Sequence, residues 1–265
     1  MASTASSPRL SARLSRRLDA AAPLVGLACI LAFLAVLQVL IRADVVSAYV
    51  VPPPTEVAAS LWRVIVEEHV LTRFLVTAGE ALAAGALILV VGVPLGLALY
   101  RAPRMRAAFE PWVAAWAAAP LVLAYPLFLV LFGRSSLTII VIGFAAGVAP
   151  VVLKTIEGFA STRRVLIDVG RTLRLTPTQE FWRILLPAAL PDVFVGLRLG
   201  LIFALINVVG VEFLINLGGL GQLINDLAER YDLAGTWAAI CFVVLVSVVF
   251  FVALDGGERW LRRRG

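Results

Sequence analysis

The chain holds few side chains that could make or break a covalent bond. His69 is its only histidine, so neither a Ser-His-Asp arrangement nor a histidine-zinc site can be assembled. Cys29 and Cys241 each lie inside an apolar run, which suits small hydrophobes and supports neither a disulfide framework nor a metal knuckle. No G-x-x-x-x-G-K-[ST] stretch exists to cradle nucleotide phosphates. Gly218-Gly219-Leu220-Gly221 has the glycines but no basic anchor after them, and reads as a tight turn. No catalytic residue, no metal ligand and no cofactor held by this chain are therefore expected. What remains are polar groups inside apolar stretches, where each is costly: Glu80, Asn207 and Glu212, with Tyr125 beside Pro126. Tyr125, Asn207 and Glu212 are candidates for lining a passage, against the plainer reading of helix packing and structural hydrogen bonding.

The elements that carry these groups are dictated by composition. With 61% hydrophobic and 15% charged residues and a mean hydropathy of +0.97, the 265 residues are too apolar for a soluble core. The excess of +6 is scattered between apolar runs and not gathered on a polar domain, which argues against nucleic acid. An all-α membrane fold follows, since about 20 apolar residues per helix are needed to cross the hydrocarbon. Six spans are expected, near 21–41, 78–100, 112–132, 137–156, 193–217 and 237–254, after a basic tail over 1–20. The first apolar run is too long for a signal peptide and reads as an uncleaved span. Val51-Pro52-Pro53-Pro54-Thr55-Glu56 precedes an amphipathic helix over 57–70 on the outer surface. With both termini cytoplasmic, all but five of the 23 basic residues (Arg42, Arg63, Arg73, Arg134 and Arg230) lie on the inner side, as the positive-inside rule requires.

One cytoplasmic loop, 157–192, is unlike an ordinary connection. Thr176 can cap a helix with Pro177 at its first position and Gln179 completing a capping box, and Leu186-Pro187 is expected to stop it. Between cap and stop, Phe181, Trp182, Ile184, Leu185 and Leu186 make an apolar, aromatic element where water should be, the mark of a protein contact.

This loop resembles that of the permeases of binding-protein-dependent ABC importers, of the nitrate, sulfonate and taurine type. In that family a Glu-Ala-Ala, three residues, Gly, then Ile-x-Leu-Pro signature forms the helix that docks on the ATPase. Asp168-Val169-Gly170 stands at the Glu-Ala-Ala position, and Ile184-Leu185-Leu186-Pro187 matches the close. Tyr125-Pro126-Leu127, Glu212 and Gly219-Leu220-Gly221 fit as well. Arg174 stands where the family has glycine; arginine adopts a left-handed backbone reluctantly, so the first short helix is expected to run on or end differently.

The resemblance implies a type I ABC importer permease fold in the bacterial inner membrane. It implies a homodimer, two ATPase subunits holding the ATP, and a periplasmic binding protein that delivers a small sulfonate-, nitrate- or taurine-like anion. Asp168, Gly170, Arg174, Thr176, Phe181, Trp182, Ile184 and Pro187 would then serve ATPase docking. The rival is a gradient-driven secondary transporter, for which midplane ionisable groups or an inverted repeat would speak.

Overall fold

A computed structural model describes residues 8–47 and 50–262, with side chains over 24–47 and 50–256. The first seven residues of the expected basic tail, and Arg263 and Arg264, lie outside the described residues. Among these the chain is helical throughout. The helices are α1 (Pro8–Arg42), α2 (Pro54–Glu67), α3 (Val70–Leu87), α4 (Val93–Arg101), α5 (Pro103–Ala118), α6 (Tyr125–Phe132), α7 (Ser136–Ala160), α8 (Arg164–Thr172), α9 (Pro177–Glu180), α10 (Leu186–Ile215), α11 (Gly219–Glu229) and α12 (Leu233–Arg262). Five single stretches are long and apolar enough to cross a membrane: Leu24–Arg42, Val70–Arg101, Ser136–Ala160, Pro177–Ile215 and Leu233–Gly256.

The sixth expected span, 112–132, is not one helix. It starts earlier, at Pro103, and breaks between α5 and the 3-10 turn Leu121–Ala124, so that the two parts bend by 86°. The cause is local: Ala119 is extended (ψ 134°), the conformation favoured before proline, and the helix is not resumed at Pro120. The pair counts as a sixth crossing if taken as one broken span.

Pro187 was expected to stop its helix and does not, and Pro94 likewise lies within a continuous helical stretch. α3 passes into α4 through a π turn at Ile88–Gly92, two residues before Pro94. α9 passes into α10 through a π turn at Phe181–Leu185, two residues before Pro187. The wider turn moves the carbonyl that the pyrrolidine ring would strike, so Leu186-Pro187 continues the helix instead of ending it.

α7 and α10 form the centre, with α3 and α4 against α7. They approach at Gly147 and Gly200: a Cβ at Gly200 would lie 2.7 Å from the Gly147 carbonyl oxygen. Gly96 meets Thr155 and the Val152 carbonyl in the same way, at 2.6 and 2.9 Å. Such contacts are how helices attract in lipid, where burial of apolar surface supplies no drive. α1 stands apart and exposed, joined to α2 where Gln38 Oε1 accepts from the Thr55 N–H (3.3 Å) and hydroxyl (3.4 Å).

Candidate functional site

The loop between α7 and α10 is built by two caps. α8 ends in a left-handed turn: the Arg174 N–H donates to the Arg171 carbonyl and the Leu175 N–H to the Gly170 carbonyl, both at 3.0 Å. Arg174 has φ 51°, so it takes the conformation expected of glycine and the helix stops where a glycine would stop it. The expectation of a different ending is corrected, because six-to-one closure and the following cap fix the turn on both sides. Thr176 caps α9 as the sequence indicated. Its Oγ1 accepts from the Gln179 N–H (3.3 Å), and Gln179 Oε1 accepts from the Thr176 N–H (3.0 Å).

The aromatic element divides into two roles. Phe181 points inward and stacks on Phe159 of α7 (6.0 Å between centroids), which stacks on Tyr100 of α4 (5.4 Å). The Arg101 guanidinium sits 4.8 Å above the Phe181 ring. Trp182 meets Phe181 edge-on at 5.4 Å but is 62% exposed. Ile184 is half-buried and packs on Gly170, where an added Cβ would come within 2.8 Å of its Cδ1. Gly170 is therefore the seat of α8 on the second helix and is itself buried. Asp168, Arg174, Thr176 and Pro187 are exposed, and Asp168 pairs with Arg171 at 3.5 Å.

The outward face holds residues that the loop signature did not bring forward. Val165, Val169 and Leu173, spaced by four along α8, stand 62%, 49% and 66% exposed. Their i, i+4, i+8 spacing was the available signal. They and Trp182 are exposed apolar residues on a segment that also carries Arg163, Arg164, Arg171 and Arg174.

The expected passage residues are dispersed. Tyr125 begins α6 and packs on Ile139, Ile142, Val208 and Val211. Asn207 is half-buried and donates to the Phe203 carbonyl of its own helix at 2.9 Å. Glu212 is fully buried and Glu80 is 5% exposed. Glu212 Oε2 accepts from the Thr77 hydroxyl (3.0 Å) and the Gly221 N–H (2.8 Å), while Thr77 Oγ1 accepts from the Leu220 N–H (2.8 Å). Glu80, one turn after Thr77 on α3, turns its carboxyl to the same spot. Thr77 and Glu212 thus cap α11, whose own N-cap residue, Gly218, has no side chain to do so. Gly219, at φ 71°, leaves the space that the Glu212 carboxylate fills. In the described protomer these contacts brace α11 against α3 and α10.

A broken helix, a bundle crossed at small residues and a capped aromatic loop between two spans define a polytopic membrane transport component. Residues 88–264 match the family described as the inner membrane component of binding-protein-dependent transport systems, and the chain belongs to it. It is 27% identical over 235 residues to the taurine transport system permease protein TauC of Escherichia coli K12, covering 83% of this chain and 81% of that protein. The bicarbonate transport system permease protein CmpB of Synechocystis is 26% identical over 265 residues, covering 94% and 89%. The solved MetNI methionine ABC transporter has a chain of the same fold, with a TM-score of 0.63 at 19% identity over 72% of this chain and 95% of that one. The protein is thus a multi-pass inner-membrane permease of an ABC importer, a family that works with a separate ATPase and a binding protein.

Proposed function

We propose that two copies of this chain form the pathway of an importer for a small anion of the sulfonate, nitrate or taurine kind. Relatives named for taurine and bicarbonate support a solute that carries an oxyanion group, while others are named for formylaminopyrimidine and glycine betaine. Two ATPase subunits hold the ATP and bind the loop over 157–192; this chain holds no nucleotide itself. A periplasmic binding protein delivers solute at the other end, and both termini face the cytoplasm, in keeping with the basic bias of the inner loops.

The observation that carries the docking assignment is the split of the loop helix. Trp182 and the α8 stripe are exposed and apolar, while Phe181 ties the same helix to α4 and α7. Movement of an ATPase against Trp182 is passed through Phe181 to the ends of two spans, and alternating access follows from their displacement. Affinity purification of the tagged chain in mild detergent tests this. The ATPase is expected to co-purify, and to be lost with Trp182→Ala. Phe181→Ala is expected to keep the ATPase but uncouple hydrolysis from uptake. Solute movement in liposomes with no ATPase present would replace the reading with a gradient-driven transporter. Stimulation of ATP hydrolysis by the cognate binding protein loaded with taurine, nitrate or an alkanesulfonate assigns the solute.

A further inference from the structure

We propose that α2 is an in-plane membrane anchor, with Trp62 and Val66 inserted at the boundary between lipid headgroups and acyl chains. The inference rests on the membrane location and on no feature of the ATPase or solute reading.

Both ends of α2 sit at the ends of spans. Its first turn is bonded to Gln38, one turn before α1 ends, and its C-terminal end is bonded to the turn between α11 and α12: Arg63 to Asp232 at 2.6 Å, and the C-cap Glu68 to Arg230 at 2.8 Å. A helix of 14 residues, about 21 Å long, whose two ends lie at the level where spans begin and end must run across the membrane normal. It does so at the end of the bundle opposite the loop over 157–192.

At about 100° per residue, α2 has three sectors. Val57, Leu61, Val64 and Glu68 form one, which packs on α11 and α12 and carries the ion pair to Arg230. Glu56, Arg63 and Glu67 form a second, polar flank. Ala58, Ala59, Trp62 and Val66 form the third, and all four are exposed, Trp62 to 73% and Val66 to 54%. A helix on top of a bundle needs two sectors, protein and water. A helix at the rim of the bundle, level with the bilayer surface, needs three: protein, water and lipid. The third sector also has company. Tyr231 (88% exposed) and Trp237 (40%) stand just before and within the first turns of α12, at the level fixed by the Arg63 pair. Aromatic residues with a polar edge concentrate at that depth.

The test uses the full chain with its ATPase in liposomes, on a background of Cys29→Ala and Cys241→Ala. A nitroxide is attached at Trp62→Cys, Val66→Cys or Glu67→Cys in turn. Positions 62 and 66 are expected to collide several-fold more with oxygen, which concentrates in lipid, than with a water-soluble nickel chelate, and position 67 to show the reverse. Equal nickel access at 62 and 67 would overturn the proposal. So would protection of position 62 that appears only on adding the solute-loaded binding protein, which would make this face a protein dock.

Discussion

The two ends of the bundle are held by different mixtures of contacts. At the end carrying α2, α11 and α12, long-range polar bonds tie distant parts of the chain: Arg63 to Asp232, Arg73 to Asp226, Arg230 to Glu68, and the buried Glu212 and Thr77 to α11. At the other end the loop over 157–192 is shaped by local caps and meets α4 and α7 through stacked rings, while Arg198–Asp255 at 2.8 Å and Ser161–Asp192 at 3.2 Å tie helices there as well. Ion pairs between distant helices are directional and hold one geometry, whereas offset rings can slide with little loss of contact. One end is thus braced and the other is hinged, as an importer driven from one side would require.

Several changes would break that contrast or sharpen it. Glu212→Ala leaves the buried Gly221 N–H without an acceptor and the Thr77 hydroxyl with only the Arg73 carbonyl at 3.3 Å, and is expected to cost about 1–3 kcal/mol, read as loss of thermal stability in detergent. Glu212→Gln retains an acceptor and should recover most of it. Thr176→Ala should cost about 1 kcal/mol and act locally, speeding amide exchange over 177–185 while leaving α11 unchanged. Arg174→Gly should stabilise the loop by about 0.5–1 kcal/mol, since glycine takes φ 51° without strain. The smallest effect is on acidity. Burial alone would raise the Asp232 carboxyl, but Arg63 and the Gly235 N–H hold it below the usual carboxylate range. A lowered carboxylate adds stability above its unfolded value, about 3.9, and loses it as pH falls through the folded value. The tie from α2 to α12 should therefore persist at pH 5 and fade only below about pH 4, read by exchange at α2 amides.

The spans were legible because apolar runs of that length have one use in a protein. Thr176 and Gln179 were legible because a capping box lies within four residues. What was hidden depends on distance or on competition. Glu212 reads as a polar group in a span until Thr77, 135 residues away, and the turn at Gly219 come to meet it. Phe181 and Trp182 are neighbours of like chemistry, and only the position of Phe159 decides which turns inward. Prolines 111, 150 and 191 lie inside helices while Pro120 breaks one, and the extended Ala119 before it carries no mark of its own.

The π turn at Ile88–Gly92 also governs which side chains a helical wheel would place together. On a regular α-helix, residues four apart drift by about 40° at each step, so Ala84, Ile88, Gly92 and Gly96 would spiral off the surface they start on. A turn with more residues per revolution takes back most of that drift. All four are buried, and Ile88, Gly92 and Gly96 meet Val151, Val152 and Thr155 of α7 along one straight seam. Two helices therefore run side by side for about three turns without coiling round each other, with their small residues kept in register along that seam.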